Sequence, residues 1–229
     1  MSHSNLANVV PFPRSAPSAA PCVCPKPFRA SAPGIAEAER FYSRDEDIYG
    51  ECEPAEYVYQ VISGAVRTYK LLNDGRRQID AFHLPGDIFG LVAGYAHRVT
   101  AEAIIDTNVR IMRRRTLEGI AGTDVATACD LWRMTADELR RAQDHMLLLG
   151  RKSAAERVAA FLLEMDRRLS TAGMVALPMC RRDIGDYLGL TLETVSRTLS
   201  HLHDQAILSF SGARHIVLLD RARLVAMNT

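Results

Sequence analysis

Between Glu51 and Met112 apolar and polar positions alternate with a period of two, the spacing of half-buried strands. Residues 57–62, 65–72, 78–83, 100–105 and 109–113 read as short strands. Ser63-Gly64 supplies one turn, Asn73-Asp74-Gly75 a tight hairpin, and Leu84-Pro85-Gly86-Asp87 another turn. Short strands punctuated this way predict a small jelly-roll barrel. Further on, the period lengthens. Residues 123–149 predict one long helix, in which Leu131, Thr135, Leu139, Ala142, Met146 and Leu149 step by four and three. That heptad-like seam is the spacing of a helix that pairs with a second helix, and it predicts a dimer interface. Gly150 predicts a break, and residues 153–169 a further helix with Val158, Leu162, Met165 and Leu169 inward.

Residues 181–205 read as helix, turn, helix. Ile184, Leu188, Leu190, Val195, Leu199 and Leu202 are spaced to lock two short helices together. Gly189 ends the first helix, where a left-handed residue costs least. Thr191 is placed to cap the second, and Glu193 near its start suits the helix dipole. Two runs after the motif, Ile207 to Phe210 and His215 to Leu219, pair around Ser211-Gly212-Ala213-Arg214 as a wing hairpin, with Arg214 at its tip and free for a phosphate. The class is therefore α+β: a jelly-roll barrel, a long dimerisation helix and a winged helix-turn-helix.

Glu193, Ser196 and Arg197 lie three and four apart and so share one helical face. A guanidinium donates a pair of hydrogen bonds to guanine O6 and N7. A carboxylate accepts from the cytosine amine, and a hydroxyl adapts to either. The set fits base edges in a major groove. Arg182, Thr191, Thr194, Ser200 and His201 are candidates for phosphate contacts that fix register.

The stretch LPMCRRDIGDYLGLTLETVSRTLSHLHDQAIL resembles the DNA-binding segment of the CRP/FNR superfamily of bacterial transcription regulators. The form Glu193-Thr194-Val195-Ser196-Arg197 is similar to the FNR and FixK branch. The cyclic-AMP branch carries an extra Arg ahead of the Glu, where Leu192 stands here. The resemblance extends upstream over the barrel and implies a cyclic-nucleotide-binding-like domain. It divides the chain into an arm (1–34), the barrel (35–122), the dimerisation helix (123–150) and the winged helix-turn-helix (151–229). It further implies a homodimer on a palindrome of the TTGAT-N4-ATCAA type, contact with RNA polymerase, and activation of genes for low-oxygen metabolism.

The formal net charge of +1 gives no argument for nucleic acid, so a DNA reading needs a local basic surface. No apolar run approaches the roughly 18 residues of a membrane span and no secretory leader is seen, which predicts a cytoplasmic protein. Residues 1–34 hold seven of the ten prolines, no acidic residue and no apolar period, and read as an extended or disordered arm. Five cysteines, odd in number and irregular in spacing, suit reduced thiols.

Cyclic-nucleotide regulators carry a Gly-Glu pair and an Arg-Ser pair for ribose and phosphate. Here Gly90-Leu91 and Arg98-Val99-Thr100 stand in their places, so the ribose carboxylate is missing. Cys22 and Cys24 sit too close for the usual iron–sulfur spacing, with Cys52 and Cys129 far along the chain. His83 and His97 are expected at the surface rather than on a haem. No cofactor or metal is expected, and the FixK likeness implies function without an effector. A second reading keeps the fold but gates it with an unidentified small ligand. A jelly-roll oxygenase needs a clustered His and carboxylate set, which is not seen; the chain is not expected to be an enzyme.

Cys180 stands where Ser or Thr would cap the first helix of the motif, with Asp183 in capping-box position. The helix N-terminus with Arg181 and Arg182 beside it would favour a thiolate, and an exposed thiolate is what oxidants attack. Cys180 is therefore the redox-sensitive candidate, its oxidation expected to oppose DNA binding.

Overall fold

The computed structural model describes residues 38–169, 174–212 and 214–228. The proposed arm and the Thr171-Ala172-Gly173 connection lie outside the described residues. Eight strands form two four-stranded sheets that face each other. One runs β1 (Ala38–Tyr42), β8 (Thr107–Arg113), β3 (Tyr57–Ser63), β6 (Ile88–Phe89). The other runs β2 (Asp47–Tyr49), β7 (Thr100–Ala103), β4 (Val66–Leu71), β5 (Arg77–His83), and all pairs are antiparallel. The period-two pattern explains the interior: Tyr42, Tyr49, Tyr59, Val61, Val66, Phe89 and Val109 point between the sheets. The strands β1, β2 and β6 were not anticipated; they are two to five residues long, too short for alternation to show.

Both barrel histidines depart from expectation. His83 and His97 are buried, 5% and 3% exposed. His97 lies flat on Tyr49 at 3.6 Å between ring centroids, and its ring nitrogens meet no partner among the described residues. His83 stacks near Phe89 and its Nε2 meets the Thr68 hydroxyl at 3.1 Å. Burial pushes the His83 imidazole down to about 4, so it is neutral at physiological pH. Each presents an aromatic ring to an aromatic core, which is why imidazole is tolerated there.

After a short helix α1 (Arg114–Ala121), also unanticipated, Asp124 caps the 27-residue helix α2 (Val125–Arg151) by accepting from the Thr127 amide at 2.9 Å. The expected break at Gly150 falls later: α2 runs through it to Arg151, and Lys152 turns extended. One side of α2 packs on its own barrel, where Leu131 and Met134 meet Val58, Ile88, Met112 and Leu117. That corrects the seam, because Leu131 belongs to this intramolecular face. The opposite side leaves Val125, Trp132, Leu139 and Met146 exposed at intervals of seven, with Thr135, Ala142 and Leu149 each three residues after one of the last three.

The C-terminal unit comprises α3 (Ala154–Leu169), β9 (Met174–Ala176), α4 (Arg181–Leu188), α5 (Leu192–Asp204), β10 (Leu208–Phe210), β11 (His215–Leu218) and α6 (Arg221–Met227). Its three-stranded sheet has the order β10-β11-β9. Phe161, Leu162, Ile184, Leu188, Val195, Leu199 and Leu202 make its core. That core is continuous with the barrel, since Phe82 of β5 lies 5.0 Å from the Tyr187 ring and 6.2 Å from Phe161. The barrel and the helix-turn-helix are thus docked through apolar rings.

Candidate nucleic-acid interface

The turn between α4 and α5 is set by two glycines. Gly189 takes φ +63° and its N–H bonds back to the Gly185 carbonyl, closing α4. Gly185, which the sequence reading passed over, lies so close to the turn that a Cβ would sit 2.7 Å from the Leu190 carbonyl oxygen. Any side chain at Gly185 would push the helices apart. The Thr191 hydroxyl accepts from the Thr194 amide at 3.2 Å, as an N-cap should. Val195, Leu199 and Leu202 then bury one side of α5, which forces Glu193, Ser196 and Arg197 outward.

Glu193 and Arg197 are exposed and Ser196 is half-buried on the same face. The Glu193 carboxyl is held below the usual range by its own backbone N–H and the Thr191 hydroxyl, with Arg197 and Arg182 adding to it. It stays ionised and can only accept, as reading a cytosine amine requires. Arg182, Ser200 and His201 are exposed around this face. The Thr191 and Thr194 hydroxyls pair with each other at 3.0 Å and so hold the cap. Arg214 departs from expectation: it is half-buried and folds back, donating to the Pro178 carbonyl at 3.1 Å.

The exposed Cys180 caps α4, and its thiol and backbone N–H both donate to Asp183 Oδ2 at 3.1 Å. The other oxygen of Asp183 faces the barrel and accepts from Arg67 at 3.3 Å and Arg77 at 2.5 Å. Burial alone would push the Asp183 carboxyl up. The Cys180 hydrogen bonds and the two guanidinium groups outweigh it and hold the carboxyl below its ordinary value. Arg67 also grips Glu102 and Asp45, and Arg77 also grips Asp186 at 2.9 Å. A second clasp joins Arg168 of α3 to Asp87. None of these partners across the domain boundary was named from the sequence. The capping-box spacing gave Asp183 a local role only, and nothing local reveals its long-range one.

In the barrel, Gly90 takes φ +82° with the Tyr59 ring against it; a Cβ there would meet that ring at 2.9 Å. Arg98 is exposed. Cys52 and Cys129 are exposed free thiols, and among the described residues no cluster of His, Cys, Asp or Glu is arranged for a metal. No helix among the described residues is long and apolar enough to cross a membrane.

A barrel docked on a winged helix-turn-helix, with a carboxylate, a hydroxyl and a guanidinium on the outward face of the second helix, defines a DNA-binding regulator. Comparison with known proteins agrees. Residues 156–227 match the Crp-like helix-turn-helix domain and residues 39–124 the cyclic nucleotide-binding domain. The chain is 48% identical over 188 residues to the nitrogen fixation regulation protein FixK of Azorhizobium caulinodans, covering 80% of this chain and 76% of that protein. It is 32% identical over 200 residues to an anaerobic regulatory protein of Pasteurella multocida, covering 85% and 73%. The structure of FixK2 from Bradyrhizobium japonicum superposes with a TM-score of 0.81 at 70% identity, covering 84% of this chain and 97% of that one. The chain belongs to the CRP/FNR family of transcription regulators and is of the FixK type.

Proposed function

We propose that this protein binds a TTGAT-N4-ATCAA-like palindrome as a homodimer, without a bound effector, and activates genes of low-oxygen metabolism through contact with RNA polymerase. The observation that carries the reading is the outward face of α5. Arg197 donates to guanine O6 and N7, Glu193 accepts from a cytosine amine, and Ser196 touches a neighbouring base. The relatives named above include regulators of nitrogen fixation and of anaerobic metabolism, which supports the physiological setting.

The exposed heptad Val125, Trp132, Leu139 and Met146 supports dimerisation along α2, with Thr135, Ala142 and Leu149 in the alternate positions. Two copies side by side would present two α5 helices to successive major grooves, as a palindrome demands. Leu139→Glu should convert the protein to a monomer by light scattering and abolish tight operator binding. A dimer persisting in that variant would contradict the seam.

Effector independence is supported by Leu91 in the place of the ribose carboxylate and by Tyr49, Tyr59, Phe89 and His97 packed together inside the barrel. Oxidation of Cys180 to a sulfinate would set a second negative charge against Asp183, beside the DNA-facing N-terminus of α4. The test is an anisotropy titration of reduced, ligand-free protein on the palindrome and on a scrambled duplex, before and after peroxide. Selective binding that peroxide removes in the native protein but not in Cys180→Ser supports the whole reading. Unselective binding by the apoprotein would favour a ligand-gated regulator instead.

A further inference from the structure

We infer that DNA contact continues past the helix-turn-helix onto the barrel, where Arg76 in the β4–β5 hairpin and Arg44 in the β1–β2 turn form a second phosphate-binding surface for duplex flanking the half-site. The inference rests on the DNA-binding reading of α5. A cleft of about 470 Å³ lies between the barrel and α4, with Arg44 and Arg76 on the barrel wall and Arg182 and Arg214 on the other. Three carboxylates also line it, and their charges are largely engaged. Asp183 and Asp186 are held by Arg67 and Arg77, and Asp45 is divided between Arg67 and Arg44.

The remaining guanidinium groups are weakly committed. Among the described residues Arg76 pairs only across its own turn with Asp74, and both are well exposed. Arg44 pairs with its exposed neighbour Asp45. Ion pairs of that kind in water are weak, and a phosphate can replace them. Arg182 and Arg214 have no carboxylate within ion-pair distance among the described residues, and Arg214 gives a nitrogen to a carbonyl. Arg182 also acts on the Glu193 carboxyl of α5. Arg182 therefore stands between α5 and the cleft, whose far wall carries Arg76.

The hairpin is also fixed in place. Arg77 grips α4 through Asp183 and Asp186, and Gln78 donates to the Tyr187 carbonyl at 3.4 Å. Arg76 is thus one residue from an anchored point, so the docking that positions α5 positions the hairpin too. Arg44, Arg76, Arg182 and Arg214 are thus gathered in one cleft of a chain whose net charge is only +1. The anion that extends from α5 to such a cleft is the continuous phosphate backbone of the duplex that α5 reads.

The test compares two duplexes with the same central palindrome, one ending near its edges and one extended by about ten base pairs, roughly one helical turn, on each side. Full-length dimer is titrated over a salt series, and R44A/R76A is run in parallel. The expected result is tighter binding of the native protein to the long duplex, by about tenfold at low salt. Its salt slope should be steeper by about two to four, since each phosphate contact adds about 0.9. In R44A/R76A the difference between duplexes should vanish. Hydroxyl-radical footprinting of the native complex should protect flanking backbone, a readout independent of any variant. Equal affinity and slope for both duplexes, or unprotected flanks, would overturn the inference while leaving palindrome recognition intact. Failure to prefer the palindrome over a scrambled core would overturn the underlying reading itself, and this inference with it.

Discussion

The two helices of the motif carry similar charged residues and put them to opposite uses. On α5, Glu193 and Arg197 stand in solvent, with Glu193 held chiefly by its own backbone N–H and the Thr191 hydroxyl. On α4, Asp183 is 2% exposed and holds two arginines from the barrel, Arg77 lying 106 residues earlier in the chain. The α5 set remains available for a partner molecule; the α4 set is spent inside the protein, where its work is to hold two domains in one arrangement. The barrel histidines belong with α4, as polar groups that the fold has enclosed. Shared spacing on a helix shows which residues lie together, and only the packing shows what lies against them.

If that division is right, perturbing the enclosed groups should damage stability and perturbing the solvated ones should damage recognition. The largest effect is expected for Asp183→Ala, which removes the buried carboxylate shared by Arg67 and Arg77 and leaves Arg67 with Glu102 and Asp45 and Arg77 with Asp186. Removing one partner of a buried ion pair costs about 3–5 kcal/mol, read by denaturant unfolding. A loss below about 1 kcal/mol would place Asp183 with the solvated charges.

Acid should act through His83 next. Its folded value of about 4 lies below the ordinary 6.5, so the unfolded chain binds its proton more readily. The stability contribution is complete above about pH 6.5 and is lost as pH falls from there toward 4. Between about pH 7.5 and 5 the loss attributable to His83 is about 2 kcal/mol. Burial holds His97 and His145 down as well, which adds to acid sensitivity in the same direction. His83→Gln should flatten the profile of thermal unfolding against pH, and an unchanged slope would exonerate this residue.

The solvated side of the comparison predicts effects of another kind. Arg197→Ala should weaken operator binding by about 1–3 kcal/mol and leave unfolding within about 0.5 kcal/mol of native. The smallest change is expected at the junction of the two classes. Thr191→Ala removes the cap of α5 and should cost about 1 kcal/mol of stability, with a matching modest loss of DNA affinity as the first turn frays.

The legible parts of the sequence were those written in short-range pattern. Strands of six or seven residues, the hairpin at Asn73-Asp74-Gly75, the long helix and the two helices with their Gly189 turn are all set by local periodicity and turn chemistry. What escaped was long-range. Leu131 satisfies the heptad spacing as well as Trp132 does, and only the barrel cluster around Val58 and Met112 decides that Leu131 faces inward. His83 and His97 read as surface residues because a histidine carries no mark of the aromatic rings that will surround it. Nothing local singled out Arg67 and Arg77, since their partners are set by the domain docking. Arg214 looked free at a wing tip until the Pro178 carbonyl came within reach.

The most direct test of the account is the coupling between one residue and one base pair. Operator affinity is measured for native protein and Arg197→Ala on the palindrome and on the same duplex with its half-site guanine pairs replaced by adenine pairs. The account predicts that native protein loses about tenfold to a hundredfold on the replaced duplex, while Arg197→Ala, already weakened, distinguishes the two hardly at all. If both proteins lose affinity by the same factor, Arg197 does not read that guanine, and the outward face of α5 is not the reading surface described here.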